Sequence, residues 1–241
     1  MNANKTDILV LVPHPDDAEL GCGGTILSCL TKGKKVAIVD FTKGELSTRG
    51  NLKTRAVETK TATNILGVQF RENLNFSDGF FKKDETHCLE VIRIIRKYQP
   101  EIIITSSHDD RHPDHVRASE MVKECFFLSG LFKIKTESEG KQQDLWKAKA
   151  LYFFIQSHFI KPDFILDISP FMEKKLQSIK SYKSQFYNPD STEPDTFISS
   201  KSYLDSVLAK ARIFGQIIGV EYGEGFNTTR IVGLRDILEL I

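Results

Sequence analysis

Short apolar runs alternate with longer amphipathic segments along most of this chain. Ile8–Val12, Val36–Phe41 and Ile102–Thr105 are dominated by Val, Ile and Leu, the pattern of strands buried on both faces. Between them the spacing predicts helices over Gly24–Leu30 and Thr54–Leu66, with Gly33 and Gly67 as their stops. A weaker strand is expected near Gln69–Leu74. Glu85–Tyr98 sets Leu89, Ile92, Ile94 and Ile95 on one helical face before Pro100 ends it, and His115–Leu128 reads as the next helix. Thr42–Leu52, the stretch through Asp78-Gly79, and His108–Pro113 are polar and read as loops. This alternation predicts a three-layer α/β fold, with a Rossmann-like, mostly parallel sheet and helices on both faces.

The pattern fades over Gly130–Lys149, which is rich in Lys, Glu and Gln and reads as an exposed excursion. Strands return at Ala150–Ile155 and Phe164–Ile168. Helices follow at Phe171–Tyr182 and Ser202–Phe214, separated by a loop holding Asn188-Pro189 and Glu193-Pro194. Gly219–Gly225 is glycine-rich and is expected to be irregular. No repeat or linker interrupts residues 1–241, so one domain is expected.

Charge narrows the possible partners. Lys plus Arg number 33 against 32 Asp plus Glu, so no global field favours nucleic acid or an anionic membrane. The apolar run at Ile8–Val12 is too short for a secretory core or a membrane span, and a cytoplasmic protein is expected. The four cysteines, Cys22, Cys29, Cys88 and Cys125, form no Cys-x-x-Cys pair and are expected to be reduced. Phe126, Phe127, Leu128, Leu131 and Phe132 either pack into the core or cover an interface, in keeping with an expected homo-oligomer.

The chemistry concentrates in two strand-end motifs. Pro13-His14-Pro15-Asp16-Asp17 follows the first strand, and His112-Pro113-Asp114-His115 follows a later one. Ligands gather at such strand ends in open α/β sheets. His14, Asp17 and His115 form a metal-ligand set that leaves a coordination position open, and Pro15 and Pro113 stiffen the adjoining turns. The donor set suits zinc, with iron as the alternative, since affinity order alone does not select zinc. Asp16 is then free to act as general base on water, and a protonated His112 would stabilise an oxyanion. Asp114 would hold one imidazole charged and oriented. His87, His108 and His158 read as ordinary loop or surface residues.

Other chemistries fit poorly. Gly21, Gly23 and Gly24 suggest a phosphate-binding turn, but Ile26 stands where the third glycine of Gly-x-Gly-x-x-Gly belongs. Close packing of helix on strand explains these glycines better. His-Glu-x-x-His and Gly-x-Ser-x-Gly motifs are absent from the sequence.

Together the two motifs, with Glu19-Leu20-Gly21-Cys22-Gly23-Gly24-Thr25, resemble the LmbE/PIG-L family of zinc-dependent N-acetylglucosaminyl deacetylases. The likeness extends through Gly44-Glu45-Leu46, Arg55-x-x-Glu58, Asp78-Gly79, Tyr182–Phe186 and Gly219–Phe226. The later segments are most similar to the bacillithiol-biosynthesis branch, which deacetylates N-acetylglucosaminyl-malate. Many members of that branch have Ala-His-Ala-Asp-Asp where this chain has Pro13-His14-Pro15-Asp16-Asp17, a change that spares the ligands.

The resemblance implies zinc on His14, Asp17 and His115, Asp16 as base, and His112 facing the oxyanion with Asp114 tuning it. It also implies that Arg55 and Asp78 contact the sugar. A tyrosine from the C-terminal half would assist the oxyanion, Tyr203 first and Tyr222 as its rival. Arg111 is placed to pair with carboxylates on an anionic aglycone. The implied partner is a small amino-sugar substrate. A thiol-conjugate amidase and a non-catalytic sugar-binding protein are the competing readings; the second is disfavoured by the presence of Asp16.

Overall fold

A computed structural model describes residues 4–234 and 236–239. The chain runs β1 (Ile8–Val12), α1 (Asp17–Thr31), β2 (Val36–Asp40), α2 (Leu52–Leu66), β3 (Phe70–Asn73), α3 (Glu85–Tyr98), β4 (Ile102–Ser106) and α4 (Pro113–Leu128). It continues through a hairpin of β5 (Glu137–Ser138) and β6 (Lys141–Gln142), then β7 (Ala150–Phe154) and β8 (Phe164–Asp167). The last elements are α5 (Met172–Lys180), α6 (Lys201–Ile217) and β9 (Gly223–Thr228), with short 3-10 turns at Ser169–Phe171 and Ile237–Glu239.

The main sheet has the order β3-β2-β1-β4-β7-β9-β8. Neighbours from β3 to β7 pair in parallel, whereas β9 is antiparallel to both β7 and β8. This is the mostly parallel α/β architecture expected. Side chains of β1 alternate between two cores, as the two-residue period of a strand requires. Leu9 and Leu11 join residues of α3 and α4 on one face, while Ile8, Val10 and Val12 join Ala18, Cys22 and Ile26 of α1 on the other. The strand order turns back at β1, which lies between β2 and β4. Both chemical motifs leave the sheet there, at the crevice that such a switch creates.

Helix ends follow local chemistry where it was expected and depart elsewhere. Asn51 caps α2 by accepting from the Lys53 and Thr54 amides at 2.9 and 3.0 Å, and Gly67 closes it at φ 81°. The first helix starts seven residues before Gly24, at Asp17, directly off the motif. It bends at Cys22, where φ −144° and ψ 22° leave the helical range. The amides exposed by the bend, Gly24 and Thr25, donate to the Glu224 carboxylate at 2.9 and 2.8 Å. An anion there acts as the cap for a helix N-terminus that the bend creates.

The glycine-rich segment near the C-terminus differs from expectation. Gly223 and Gly225 belong to a strand: a Cβ at Gly223 would come within 2.6 Å of Ile165, and one at Gly225 within 2.9 Å of Phe214. These glycines let β9 fit beneath α6, and their missing side chains removed the alternation that marks a strand. The 130–149 segment is exposed over most of its length, as expected, but it is anchored. Arg96 reaches the carbonyls of Ser129, Leu131 and Ile134 at 2.9–3.1 Å, and Trp146 donates to Pro100 O at 2.7 Å. A buried guanidinium with backbone acceptors holds a polar segment that has little apolar pattern of its own.

Of the five apolar residues near the end of α4, Phe126 and Leu128 pack on the core, while Phe127, Leu131 and Phe132 remain exposed. Among the described residues no helix is long and apolar enough to cross a membrane.

Gly21 sets the closeness of α1 to the sheet. A Cβ there would stand 2.2 Å from the Phe154 ring. Gly21→Ala is therefore expected to destabilise the fold by about 1–3 kcal/mol, despite alanine's better helix propensity. Thermal denaturation checks this, with a fall of ~2–4 °C expected per kcal/mol.

Candidate metal and active site

The site forms where β1 and β4 hand over to their helices. Asp16 precedes α1 in a left-handed conformation, φ 116°, uncommon for a residue with a Cβ. Its carboxylate meets Arg55 Nη2 at 2.9 Å, and the same nitrogen donates to Pro15 O at 2.5 Å. Arg55, from the first turn of α2, thus holds the strained turn from the side. Burial pushes the Asp16 carboxyl up to about 7, partly opposed by the Arg55 charge.

Asp17 lies between two imidazoles. Its Oδ2 is 3.1 Å from His14 Nδ1, and its Oδ1 is 3.1 Å from His115 Nε2. The other nitrogen of each ring also faces carboxylates. His14 Nε2 lies 3.0 Å from Asp78 Oδ1 and 3.4 Å from Asp114 Oδ2, while His115 Nδ1 lies 2.9 Å from Asp110 Oδ1. Burial alone would lower both imidazoles. The surrounding carboxylates outweigh it, raising His14 well above its ordinary value and His115 to about 9. In return the imidazoles hold Asp17 below the usual carboxylate range, and they bring Asp110 down to about 2.

His14, His112 and His115 each bring one ring nitrogen within 4.8 Å of the others, as do the ligand atoms of His14, Asp78 and Asp114. His112 caps α4, its Nδ1 accepting the Asp114 amide at 3.2 Å, which assigns the ring proton to Nε2. Burial and then the two neighbouring imidazoles lower its basicity. Both the accepted amide and the lowered basicity weigh against the protonated His112 expected from sequence. Asp114 is likewise turned away from it: its Oδ2 accepts the Gly79 amide at 2.8 Å and faces His14, and its Oδ1 pairs with Arg117. The Asp114 amide, and not its carboxylate, is what fixes the His112 ring.

Arg55 and Asp78 line the cleft but are engaged by the protein itself. Asp78 accepts the Leu46 amide at 2.9 Å and lies 3.0 Å from His14 Nε2 while lining the cleft. Arg111 opens on the cleft with its guanidinium 4.4 Å over the Phe197 ring. Tyr203 lines the same cleft, its ring stacked near Phe186, whereas the Tyr222 hydroxyl lies outside it and accepts from Arg212 at 3.2 Å. The cleft encloses about 200 Å³.

Sequence reading missed two residues. Asp110 backs His115 and also accepts the His112 and Ser157 amides at 3.0 and 3.1 Å. Gln156 Nε2 donates to Asp17 Oδ1 at 2.9 Å. Their only signal was position: one sits two residues before the second motif, the other just beyond the end of β7.

Beneath the cleft lies a second charge network. Arg71 Nε and Nη2 fork onto Asp40 at 2.8 and 2.9 Å, and Nη1 reaches Glu19 at 2.6 Å. Tyr182 adds a hydroxyl donor to Glu19 at 3.2 Å. This network ties β2, β3, α1 and the segment after α5 together directly under the motif.

The comparisons agree with this architecture. The family model for PIG-L, GlcNAc-PI de-N-acetylase, matches residues 9–126. A conserved protein of known structure from Thermus thermophilus superposes with a TM-score of 0.86 at 31% identity, covering 96% of this chain and 98% of its own. The diacetylchitobiose deacetylase of Thermococcus kodakarensis is 29% identical over 91% of this chain and 82% of its own length. A probable N-acetyl-alpha-D-glucosaminyl L-malate deacetylase 2 of Bacillus anthracis is 27% identical over 76% of this chain and 83% of its length. The chain belongs to the PIG-L/LmbE family. It is an N-deacetylase of that family.

Removing the Arg71 charge would leave Asp40 and Glu19 buried without their cation. Arg71→Met is expected to cost about 3–5 kcal/mol, the range for breaking one side of a buried pair. Urea unfolding measures it, and an unchanged midpoint would contradict the role given to this network.

Proposed function

We propose that this protein is a zinc-dependent hydrolase that removes the acetyl group from an N-acetylglucosaminyl small molecule bearing an anionic aglycone, with N-acetylglucosaminyl-malate as the favoured substrate. The observation that carries the metal assignment is the pair of imidazoles meeting opposite oxygens of Asp17 while their far nitrogens face carboxylates. That is how metal-binding histidines are oriented and made more basic. His14, Asp17 and His115 would hold the ion, and Asp78, Asp114 and Asp110 would hold the ligands. When bound, zinc supplies Lewis acidity, polarising a carbonyl oxygen and acidifying water.

The residues around the ion divide the remaining work. Asp16, raised to about 7, is matched to taking a proton from the attacking water near neutral pH and returning it to the leaving amine. Neutral His112 presents Nε2–H as a hydrogen-bond donor toward the oxygen that gains charge, and Tyr203 supplies a hydroxyl from the opposite wall. Arg55 keeps the Asp16 turn in place through Pro15 O and the carboxylate itself. Water oxygen adds to the acetyl carbon, the C–N bond breaks, and acetate and the free amine leave.

Arg111 supports the choice of aglycone. Among the described residues no carboxylate pairs with it, and it faces the cleft held over Phe197. A guanidinium so placed suits a dicarboxylate group. A neutral disaccharide, the substrate class named for the Thermococcus relative, would leave that charge unused.

Chelation is expected to abolish acetate release and zinc to restore it, measured with metal content on the same samples. Asp16→Asn is expected to retain the metal and lose ~10²–10⁴ in kcat. Metal loss in that variant would make Asp16 a ligand. Arg111→Ala is expected to raise KM for N-acetylglucosaminyl-malate by roughly tenfold, the size of one charge-assisted contact. It should leave KM for diacetylchitobiose unchanged, and equal effects on both substrates would remove Arg111 from aglycone recognition.

A further inference from the structure

Behind the cleft lies a smaller cavity of about 80 Å³ that the chemistry above does not use. Leu20, Gln156, Ser157 and Tyr203 line both spaces, so the two adjoin through a shared wall. One side of the cavity is apolar, formed by Ile155, Val207, Ala211 and Phe214. Its ionised groups are Lys175, Glu224 and Lys210. Lys175 is paired with Glu224 at 2.5 Å, and Glu224 is further satisfied by Gly24, Thr25 and the Thr25 hydroxyl, so these two cancel.

Lys210 is left as the net charge. Its ammonium donates to the carbonyls of Gln156 and Ser157, the latter at 3.1 Å, and no carboxylate among the described residues pairs with it. Burial pulls its amine down to about 8, with only Asp110 acting in the opposite sense. A largely desolvated ammonium facing a cavity without a counterion favours an anion. At ~10–15 Å³ per water-sized group, the space holds several such groups; acetate fits and a hexose ring does not.

We propose that this cavity is a binding site for a short-chain carboxylate, in which the cleaved acyl group is held by Lys210 with its methyl against the apolar wall before release. The proposal rests on the N-deacetylase reading, because that hydrolysis generates the anion beside Gln156. Amide and water give amine and carboxylic acid, and the acid's proton passes to the amine, so the product enters the cavity as acetate. Removing acetate from the reacting centre leaves the ligand positions free for the next substrate.

Two measurements on the full-length, zinc-loaded enzyme test this: equilibrium binding of ¹³C-acetate by NMR line width, and acetate inhibition of amine release. Lys210→Met is expected to weaken both by roughly tenfold or more, as for loss of one charge-assisted contact. Lys210→Arg is expected to stay within about threefold of wild type. Ala211→Leu, which fills the apolar side without touching the charge, should weaken both as well, and it decides the matter if Lys210→Met fails to fold by circular dichroism. Acetate binding and inhibition that are unchanged in the folded variants would place acetate elsewhere and overturn the proposal. If wild type releases no amine from any N-acetylated sugar, the hydrolase reading fails by itself. The binding titration still reports on the cavity, where dependence on Lys210 supports the site and independence overturns it.

Discussion

Burial of negative charge at one end of the sheet is the constraint on which the rest of this structure depends. Asp16, Asp17, Asp78, Asp110 and Asp114 crowd the cleft, with Glu19 and Asp40 just below it, all buried. Isolated carboxylates in such a place would neutralise or force the fold apart. Each is instead matched to a cation or to backbone amides. His14 and His115 serve Asp17, Asp78, Asp110 and Asp114, Arg55 serves Asp16, and Arg71 serves Glu19 and Asp40. The histidines supply positive charge within this field of carboxylates, where a divalent ion would find donors already gathered.

Asp16 is the exception within this arrangement, and its exception is useful. Asp17, one residue away, is held ionised by two imidazoles, whereas Asp16 has a single guanidinium and a strong desolvation penalty. Neighbouring carboxylates of one motif are thereby pushed to opposite sides of the ordinary carboxylate range. Such separation is how one site keeps a ligand and a proton carrier distinct.

Much of this arrangement was legible in the order of residues alone. The strand–helix alternation from Ile8 to Leu128 is strong because parallel strands buried on both faces are written as apolar runs, and the two motifs stand directly at their ends. The pairing partners were harder to read. Asp114 looked like the companion of His112 because it is two residues away, yet a helical first turn carries its carboxylate round to His14. Asp78 and Gln156 arrive from two other loops, and Asp110, although in the loop of the second motif, carries no local sign that it faces His115. The final strand was hidden for a different reason: Gly223 and Gly225 are there to make room for α6, and residues chosen for absence of bulk leave no hydrophobic pattern.

The bend in α1 at Cys22 has a consequence for how the molecule is assembled. The amides it frees are closed by Glu224, about two hundred residues further along the chain. Loop closure across such a span is slow and entropically costly. The angle between the two halves of the first helix is thus closed by a contact that only the paired last strand can supply. The motif at the N-terminus therefore rests on a helix whose shape is fixed from β9, and activity reports on the pairing of that strand as well as on the motif itself.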